Sequence, residues 1–470
     1  MSKVLVISPE AVPVAGRLAA GPGIRYWQIA KSLAKDYKHN VTLAVPEKDF
    51  KATDKGPTPM VPWDLKNICD LADDHDCVVM PHVHSGLSTV YRKNANPKIP
   101  TAVDLYDPVL IENIGLQPAN EEGARSFSDY LSGVIPILKR GDYFVCANER
   151  QRFYYIGVLN ALGRINPLTY REDILEIVPF GVDEKPAEKT KEVMRGQTVD
   201  HEDKVILWFS GIYPWFDALT LIEAMPAVLK KEPRAKLVVL GGAHPAGHAP
   251  DDEYLRTQAK SKELGLFGET ILFMEWQPYE DRADWYLESD IAVVTHKPSL
   301  ETELSHRTRV IDFLWGGLPV ITSRGDAVGQ MVESRGCGQT VATGDKEALA
   351  ESIIALLSDD AKRKKMAAMA RELAATELTW KKVIEPLADF CANPHLAADR
   401  KDERLARETL TAVDTIDEHF RLAPIVNHTK TLWQKVQNVY EAEGLAGTIN
   451  RSVDVVARQF KKGESGEDKR

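Results

Sequence analysis

Hydrophobic residues in the first part of the chain fall into short continuous runs that alternate with stretches of helical periodicity. The run Val4–Ser8 predicts a strand, and the periodic stretch Ile24–Lys35 predicts a helix. An unbroken apolar run indicates a strand covered on both faces, as in a parallel sheet flanked by helices. Further strands are predicted at Asn40–Val45, Cys77–Met80, Thr101–Leu105 and Tyr143–Ala147.

The same alternation begins again after a charged, proline-containing stretch, Asp183–Lys204, which we interpret as a hinge or linker. Two α/β halves of similar size predict two Rossmann-like domains facing one another across a cleft, with ligands at the carboxyl ends of the strands. A single large sheet is the alternative. The second half predicts a helix at Leu219–Lys230 and strands at Val205–Ser210, Lys236–Gly241, Thr270–Met274, Ile291–Thr295 and Leu318–Thr322.

Beyond residue 376 the strand signals end, and Leu378–Cys391 is predicted to be helical. An apolar stripe at helical spacing runs from Leu445 to Phe460. Residues 421–462 hold seven basic side chains against three acidic ones. Two interpretations of residues 430–462 stay open: an interfacial membrane helix, or a helix that packs on this protein or on a second copy of it.

The predicted fold class is therefore α/β, with two Rossmann-like domains and a C-terminal helical appendix. The predicted segments are a first domain (1–185), a linker (186–204), a second domain (205–375), a crossover helix back to the first domain (376–398) and the appendix (399–470).

The composition is that of a globular protein, with 44% hydrophobic and 27% charged residues among 470. A net charge of −10 argues against nucleic acid as the main partner, because a phosphate backbone attracts a basic surface. No apolar stretch approaches the roughly 18 residues of a membrane span, and the apolar run at the start is short and lacks a small-residue cleavage site. We expect a cytoplasmic protein, at the inner face of the membrane if residues 430–462 bind lipid.

Cysteine and histidine spacing predicts neither a disulfide framework nor a metal site. The five cysteines are odd in number and never spaced as Cys-x-x-Cys, which fits a reducing compartment. His82, His84 and His296 also lack the spacing of metal ligands. We therefore expect no metal and no resident cofactor.

A glycine-containing turn, Gly21-Pro22-Gly23-Ile24-Arg25, separates the first predicted strand from its helix. Glycine allows a ligand to approach the backbone closely, and a helix N-terminus favours an anion. Gly21, Gly23 and Arg25 are therefore candidate ligand-binding residues. The turn does not match GxGxxG, and an ordinary strand-to-helix turn is the alternative.

Two carboxylates follow the strand predicted at Thr101–Leu105, in the sequence Asp104-Leu105-Tyr106-Asp107-Pro108. At that end of a strand they point into the predicted cleft, so Asp104 and Asp107 are candidate catalytic residues that orient a hydroxyl nucleophile or balance positive charge. A helix cap ahead of Pro108 is the alternative.

The most informative segment, ETELSHRTRVID at residues 301–312, lies between two predicted strands. Ser305 is predicted to cap a helix that ends at Gly316-Gly317. A helix N-terminus that carries Arg307 and Arg309 favours a diphosphate. Asp312, about one turn later, is placed to accept hydrogen bonds from ribose hydroxyls.

The alternative for this segment is that its arginines pair with Glu301 and Glu303 on the surface. Two further turns contribute candidates. Glu149 and Arg150 follow a predicted strand and are cleft candidates. Gly211 and Asp217 open the first helix of the second half and are candidate ligand-binding residues, because glycine after a strand allows a phosphate to come close.

In these residues, the chain from Lys3 to about Cys391 resembles a GT-B glycosyltransferase of family 4, a group of retaining enzymes that use nucleotide sugars. The resemblance rests on four segments: Gly21–Trp27, Val103–Pro108, Val178–Asp183 and Asp312–Val320. The last two resemble the VPxGVD and EAxxxGxPV segments of the family.

The resemblance assigns Asp312 to the donor ribose and makes Glu301 and Glu303 catalytic candidates, since Leu304 occupies the position of the family's sugar-binding glutamate. The Arg/Lys pair that holds the diphosphate in the family is missing here. The resemblance therefore implies that Arg307 and Arg309 take over the diphosphate.

The function implied is transfer of a sugar from a nucleoside diphosphate sugar to the hydroxyl of a glycan or lipid-linked acceptor. The transfer is expected to be retaining and metal-independent, in cell-surface polysaccharide or glycoconjugate synthesis. The second domain would hold the nucleotide and the first the acceptor. The alternatives are a nucleotide-sugar epimerase and a non-catalytic scaffold of the same fold.

Overall fold

The first domain is built on a parallel sheet of seven strands in a computed structural model that describes residues 1–82, 85–243 and 251–401. These strands are β1 (Lys3–Ile7), β2 (Asn40–Pro46), β3 (Met60–Trp63), β4 (Cys77–Pro81), β5 (Thr101–Asp104), β6 (Tyr143–Cys146) and β7 (Leu175–Ile177). Their order, β3-β2-β1-β4-β5-β6-β7, runs outward from β1 in both directions, as in a doubly wound Rossmann fold.

The second domain repeats this plan with six parallel strands. They are β8 (Lys204–Gly211), β9 (Ala235–Gly242), β10 (Ile271–Met274), β11 (Ile291–Val294), β12 (Val320–Ser323) and β13 (Gly338–Val341). The order β10-β9-β8-β11-β12-β13 again places the first strand at the switch point, where open α/β sheets bind ligands.

Helices cover both faces of both sheets. The helices of the first domain are α1 (Gly21–Lys35), α2 (Ile68–Asp73), α3 (Ser85–Asn94), α4 (Val109–Leu116), α5 (Glu121–Arg140) and α6 (Glu149–Ala161). Those that follow β8 are α7 (Ala218–Lys231), α8 (Asp252–Glu263), α9 (Arg282–Leu287), α10 (Leu300–Leu304), α11 (Thr308–Gly316), α12 (Ala327–Ser334), α13 (Lys346–Leu357), α14 (Asp360–Glu377), α15 (Trp380–Val383), α16 (Glu385–Ala392) and α17 (Ala398–Lys401).

The apolar residues of the strands form the core on both faces of each sheet. In β1, Val4 and Val6 pack in one cluster of the first domain, and Leu5 and Ile7 pack in the other. All four are completely buried, which explains why the strand reads as a continuous apolar run.

The helices α15 and α16 pack against the first domain, although they follow the second domain in the chain. The Trp380 ring lies edge-on to Phe180 at 5.0 Å, and Phe390 stacks on Tyr143 at 4.8 Å. Next along the chain, Asp399 in α17 forms a buried ion pair with Arg164 at 2.9 Å. The chain therefore crosses back to the first domain before residue 401.

The stretch between β7 and β8, all of it described, contains no helix or strand. It is nevertheless fastened to the second domain, because the Thr190 hydroxyl donates to Asp284 at 2.8 Å and the Met194 amide donates to Glu288 at 2.8 Å. Near its start, Asp183 accepts hydrogen bonds from Lys31 of α1 at 2.8 Å and from Arg282 of α9 at 2.7 Å. Asp183 thus joins the two domains at their hinge.

The prediction of two Rossmann-like domains is confirmed, and the alternative of a single sheet is wrong. The predicted appendix lies outside the described residues beyond 401, as does the contact predicted for residues 430–462.

Candidate active site

The loops at the carboxyl ends of the two sheets are in direct contact. The Tyr106 hydroxyl, which follows β5, bonds to the Thr308 hydroxyl at 2.6 Å and donates to the carbonyl of His306 at 3.1 Å. The Asn148 amide, which caps α6, donates to the carbonyl of Leu304 at 3.2 Å. The turn between α10 and α11 therefore lies against the first domain, and the predicted site residues collect around it.

Arg25 is a buried structural cation in this arrangement. Its guanidinium binds both carboxylate oxygens of Asp104 at 2.7 and 3.0 Å, and it donates to the carbonyls of Val178 at 2.8 Å and Pro179 at 3.1 Å. It also lies 4.2 Å from the centre of the Tyr106 ring. Arg25 and Asp104 are 1% and 2% exposed, so the charge of each is neutralised by the other.

Asp107, three residues on, keeps its carboxylate free of any hydrogen bond or ion pair with the residues described. Burial, together with the negative charge of Asp104, raises the pKa of Asp107 to about 7. The carboxylate of Glu112, near the middle of α4, likewise has no hydrogen bond or ion pair with the residues described. Burial raises the pKa of Glu112 well above its ordinary value, and the charges of Asp107 and Glu301 act in the same direction.

On the second-domain side, Glu301 and Arg307 form a buried pair. The guanidinium donates to the two carboxylate oxygens at 2.9 and 3.0 Å and to the Thr302 hydroxyl at 3.1 Å. Asp326 lies 3.7 Å from the Arg307 Nε. The alternative pairing of Arg307 with Glu301 is thus observed, but in the interior and not on the surface.

Arg309 and Asp312 form a looser cluster in the first turns of α11. Arg309 lies 3.5 Å from the Asp312 carboxylate, and its Nε is buried without a hydrogen-bond partner among the described residues. The other Asp312 oxygen lies 3.5 Å from Arg282, which is stacked on the rings of Tyr279 and Trp315. Burial raises the pKa of Asp312, and the two guanidiniums oppose that shift.

The N-terminus of α11 itself is not capped by a side chain. The prediction that Ser305 caps this helix is wrong. Ser305 has extended backbone angles and ends α10, so the chain makes two short helices where one was predicted. Ser299 caps α10 instead, while the end of α11 at Gly317, in the left-handed conformation, is as predicted.

The glycine turn before α1 already holds a carboxylate. Glu10 accepts a hydrogen bond from the Gly23 amide at 3.1 Å, which places a protein anion at this helix N-terminus. A Cβ added to Gly23 would overlap the carbonyl of Ala11, whereas one added to Gly21 would meet nothing. Close packing therefore accounts for glycine at position 23.

The remaining candidates lie at the edges of the site. Asp217 caps α7 through the Thr220 amide and hydroxyl. A Cβ at Gly211 would overlap the Tyr213 ring. Glu303 is exposed and offers only its carbonyl, to Arg150 at 3.1 Å, and Arg150 also donates to the carbonyl of Gly325. Glu149 pairs with Arg152 at 3.4 Å on the surface.

His306 is a residue of the site that the sequence analysis passed over. Both of its ring nitrogens are buried and have no hydrogen-bond partner in the described structure. Burial, reinforced by the charges of Arg25 and Arg307, lowers the pKa of His306 to about 3, so the imidazole is neutral at physiological pH. The sequence analysis could have singled out His306 from its place within the segment 301–312. Glu112 could have been singled out from its place about one turn beyond Asp107.

Two absences hold for the described residues only. They contain no group of three or more histidine, cysteine, aspartate or glutamate side chains arranged to hold a metal ion. Among their helices, none has the length and apolar character needed to cross a membrane.

Residues 203–359, which make up most of the second domain, match the family model described as Glycosyl transferases group 1. No curated protein matches the sequence. Sucrose-phosphate synthase from Thermosynechococcus elongatus is a structural neighbour at 17% identity and a TM-score of 0.62, covering 83% of this chain and 98% of that chain. Anabaena HepE in complex with UDP and glucose has 15% identity and a TM-score of 0.59, covering 83% and 100%.

WaaG, a glycosyltransferase involved in lipopolysaccharide biosynthesis, has 15% identity and a TM-score of 0.56, again covering 83% of this chain and 100% of that chain. At these identities the likeness shows the fold, and the fold is GT-B. The second domain is a glycosyl transferases group 1 domain, and the chain is a glycosyltransferase.

Proposed function

We propose that this protein transfers a sugar from a nucleoside diphosphate sugar to a hydroxyl acceptor, with the nucleotide in the second domain. The observation that carries the proposal is the uncapped N-terminus of α11 with Arg309 and Asp312 in its first turns, inside the region that matches the family model. Backbone amides, the helix dipole and a guanidinium with a free donor suit a diphosphate.

Within this site we assign the diphosphate to Arg309 and the ribose hydroxyls to Asp312. The resemblance implied a shared role for Arg307, but both terminal nitrogens of that guanidinium donate to Glu301, and its Nε lies 3.7 Å from the Asp326 carboxylate. We therefore give Arg307 a supporting role: it holds the turn between α10 and α11 in place for the ligand.

The reaction we propose is retaining and needs no metal ion. The bond between the anomeric carbon and the diphosphate oxygen breaks, and a new bond forms to the acceptor oxygen on the same face. The acceptor proton passes to the leaving phosphate. Arg309 and the helix amides would stabilise the leaving diphosphate by preorganised electrostatics. Support for retention comes from the resemblance of Asp312–Val320 to the family 4 segment.

The acceptor would lie on the first domain, beside Asp107. Asp104 is neutralised by Arg25, which leaves Asp107 as the carboxylate able to orient an acceptor hydroxyl. Similarity to WaaG, named for lipopolysaccharide biosynthesis, and the basic residues of 421–462 support a role in cell-surface glycan synthesis at the inner face of the membrane.

The test is to incubate the protein with UDP- and GDP-sugars and glycan acceptors in the presence of EDTA. The anomeric configuration of the product is then determined by proton NMR. The proposal expects a glycoside with the anomeric configuration of the donor. An inverted product would refute retention, and activity restored only by a divalent ion would refute metal independence. Conversion of the donor sugar without an acceptor would identify an epimerase, and failure to bind any nucleotide would favour the scaffold.

A further inference from the structure

A chain of alternating charges joins the hinge to the residues assigned to the nucleotide. Lys31 lies 2.8 Å from one carboxylate oxygen of Asp183, and Arg282 lies 2.7 Å from the other. Asp312 and then Arg309 follow beyond Arg282, and each of these two links is 3.5 Å long. The chain is therefore tight at the hinge and loose in the first turns of α11.

Arg282, in the middle of this chain, is held in place by two aromatic rings. The central carbon of its guanidinium lies 3.8 Å from the centre of the Tyr279 ring and 4.4 Å from that of the Trp315 ring. The guanidinium also donates to the carbonyl of Tyr279 at 3.2 Å. Trp315 is fixed in turn, because its indole nitrogen donates to the carbonyl of Lys185 at 2.8 Å. Arg282 is thus a fixed cation between the hinge and α11.

Asp312, the next residue of the chain, keeps one oxygen available to a ligand. The Oδ1 atom of Asp312 and the Nε atom of Arg282 are both buried, and neither makes a hydrogen bond with the residues described. Burial raises the pKa of Asp312, and the charge of Arg282 acts most strongly against this shift. Arg282 therefore favours the ionised carboxylate without occupying the oxygen that faces it.

The side of Asp312 that a ligand can reach is the side of Arg309. The Arg309 side chain is 21% exposed, whereas those of Asp312 and Arg282 are almost completely buried. A nucleotide that binds Arg309 through its diphosphate would therefore meet Asp312 next.

We propose that Arg282 is the positioning residue that makes this site select a ribonucleotide over a 2′-deoxyribonucleotide. It acts through Asp312, whose carboxylate accepts hydrogen bonds from the ribose hydroxyls. Without Arg282, this carboxylate would close on Arg309, the other cation at 3.5 Å, and move away from the ribose. The proposal rests on the proposed function, which assigns Asp312 to the ribose and Arg309 to the diphosphate.

The test is calorimetry on the full-length protein with UDP, GDP, ADP and CDP, each beside its 2′-deoxy counterpart. The readout is the ratio of the two affinities for the base that binds. A hydrogen bond to a charged group corresponds to about 10–100-fold in affinity, so the wild type should prefer the ribonucleotide at least about tenfold. Arg282→Met should lower this ratio below about threefold.

Arg282→Met is expected to fold, because neither carboxylate is left without a cation. Asp183 keeps Lys31, and Asp312 keeps Arg309. Arg282→Lys is the conservative second variant. It keeps the positive charge but has one nitrogen for two carboxylates, so its ratio should lie between those of the wild type and Arg282→Met.

The matched control is Arg195→Met. Arg195 also joins the linker to the second domain, since it donates to the carbonyl of Glu288 at 2.8 Å and pairs with Asp290 at 2.9 Å. Its loss should lower the melting temperature and leave the ratio unchanged. A purely structural role of Arg282 would give the same result in Arg282→Met.

A double variant tests whether Arg282 acts through Asp312. Asp312→Asn alone should bring the ratio close to one. Arg282→Met/Asp312→Asn should have the same ratio as Asp312→Asn, because the second change removes the group through which the first one acts.

Four results would overturn the proposal and leave the proposed function standing, because a nucleotide would still bind. They are equal affinity of ribo- and deoxyribonucleotides in the wild type, an unchanged ratio in Arg282→Met and Arg282→Lys, an equal loss of the ratio in Arg195→Met, and a further loss in the double variant. Absence of binding by every nucleotide would overturn the proposed function and this proposal together.

Discussion

The buried pair between Arg25 and Asp104 gives the sharpest prediction about how the first domain is built. Arg25→Met keeps a long apolar stem but leaves the Asp104 carboxylate unpaired at 2% exposure. It also removes the donors that serve the carbonyls of Val178 and Pro179. Breaking one side of a buried ion pair costs about 3–5 kcal/mol. For a domain of this size, that lowers the melting temperature by about 6–20 °C.

The matched control is Arg335→Met. Arg335 makes a similar two-pronged pair with Glu377, with both distances 2.8 Å, but its side chain is 51% exposed. An exposed pair contributes about 0–1 kcal/mol, so this variant should unfold close to the wild type. Thermal unfolding followed by circular dichroism measures both variants.

The double variant Arg25→Met/Asp104→Leu should recover part of the loss, because no unpaired charge remains. Our reasoning fails if Arg25→Met melts no earlier than Arg335→Met and yet loses nucleotide binding. That result would make Arg25 a donor ligand, as the glycine turn first suggested.

Three further predictions concern the cleft. Arg309→Ala should weaken nucleoside diphosphate binding by about 10–100-fold, since a hydrogen bond to a charged group contributes about 1.5–3 kcal/mol; calorimetry checks this, with Arg335→Ala as control, and unchanged affinity would remove Arg309 from the site. Gly23→Ala should destabilise the protein by about 1–3 kcal/mol through overpacking. Gly21→Ala, whose added methyl group meets open space, should not change the stability. Chemical denaturation measures the free energy of unfolding of both variants. Because the pKa of Asp107 is raised to about 7 in the folded protein, its protonation stabilises the fold at low pH, and that contribution is lost as the pH rises from about 4 through about 7. Asp107→Asn should flatten the stability profile in this window, and an unchanged slope would contradict the assignment.

Most of the fold could be predicted because the central strands are covered on both faces. A run such as Val4–Ile7 can only be a buried strand in a chain of this composition. The strands that the sequence analysis missed are β3, β7 and β13, and all three lie at sheet edges. Edge strands tolerate proline and polar residues, as in Met60–Trp63 and Gly338–Val341, so periodicity does not distinguish them from loops.

The place of the segment in the chain could be predicted, but the pairing of its side chains could not. The segment 301–312 was correctly placed between strands β11 and β12. The sequence cannot show that Arg307 turns back to Glu301, because that contact depends on the break between α10 and α11 at Ser305. Similarly, the partner of Arg25 is 79 residues away in the chain, and only the folded sheet brings them together.

The central claim is that the second domain binds a nucleoside diphosphate through α11. The most direct measurement is a thermal-shift series with UDP, GDP, ADP, CMP and dTDP, each in magnesium and in EDTA. A ligand at 100 times its Kd adds about 2.7 kcal/mol to the stability of the folded state. We expect one nucleoside diphosphate to raise the melting temperature equally in both conditions, and to lose this effect in Arg309→Ala. No shift with any nucleotide would contradict the account.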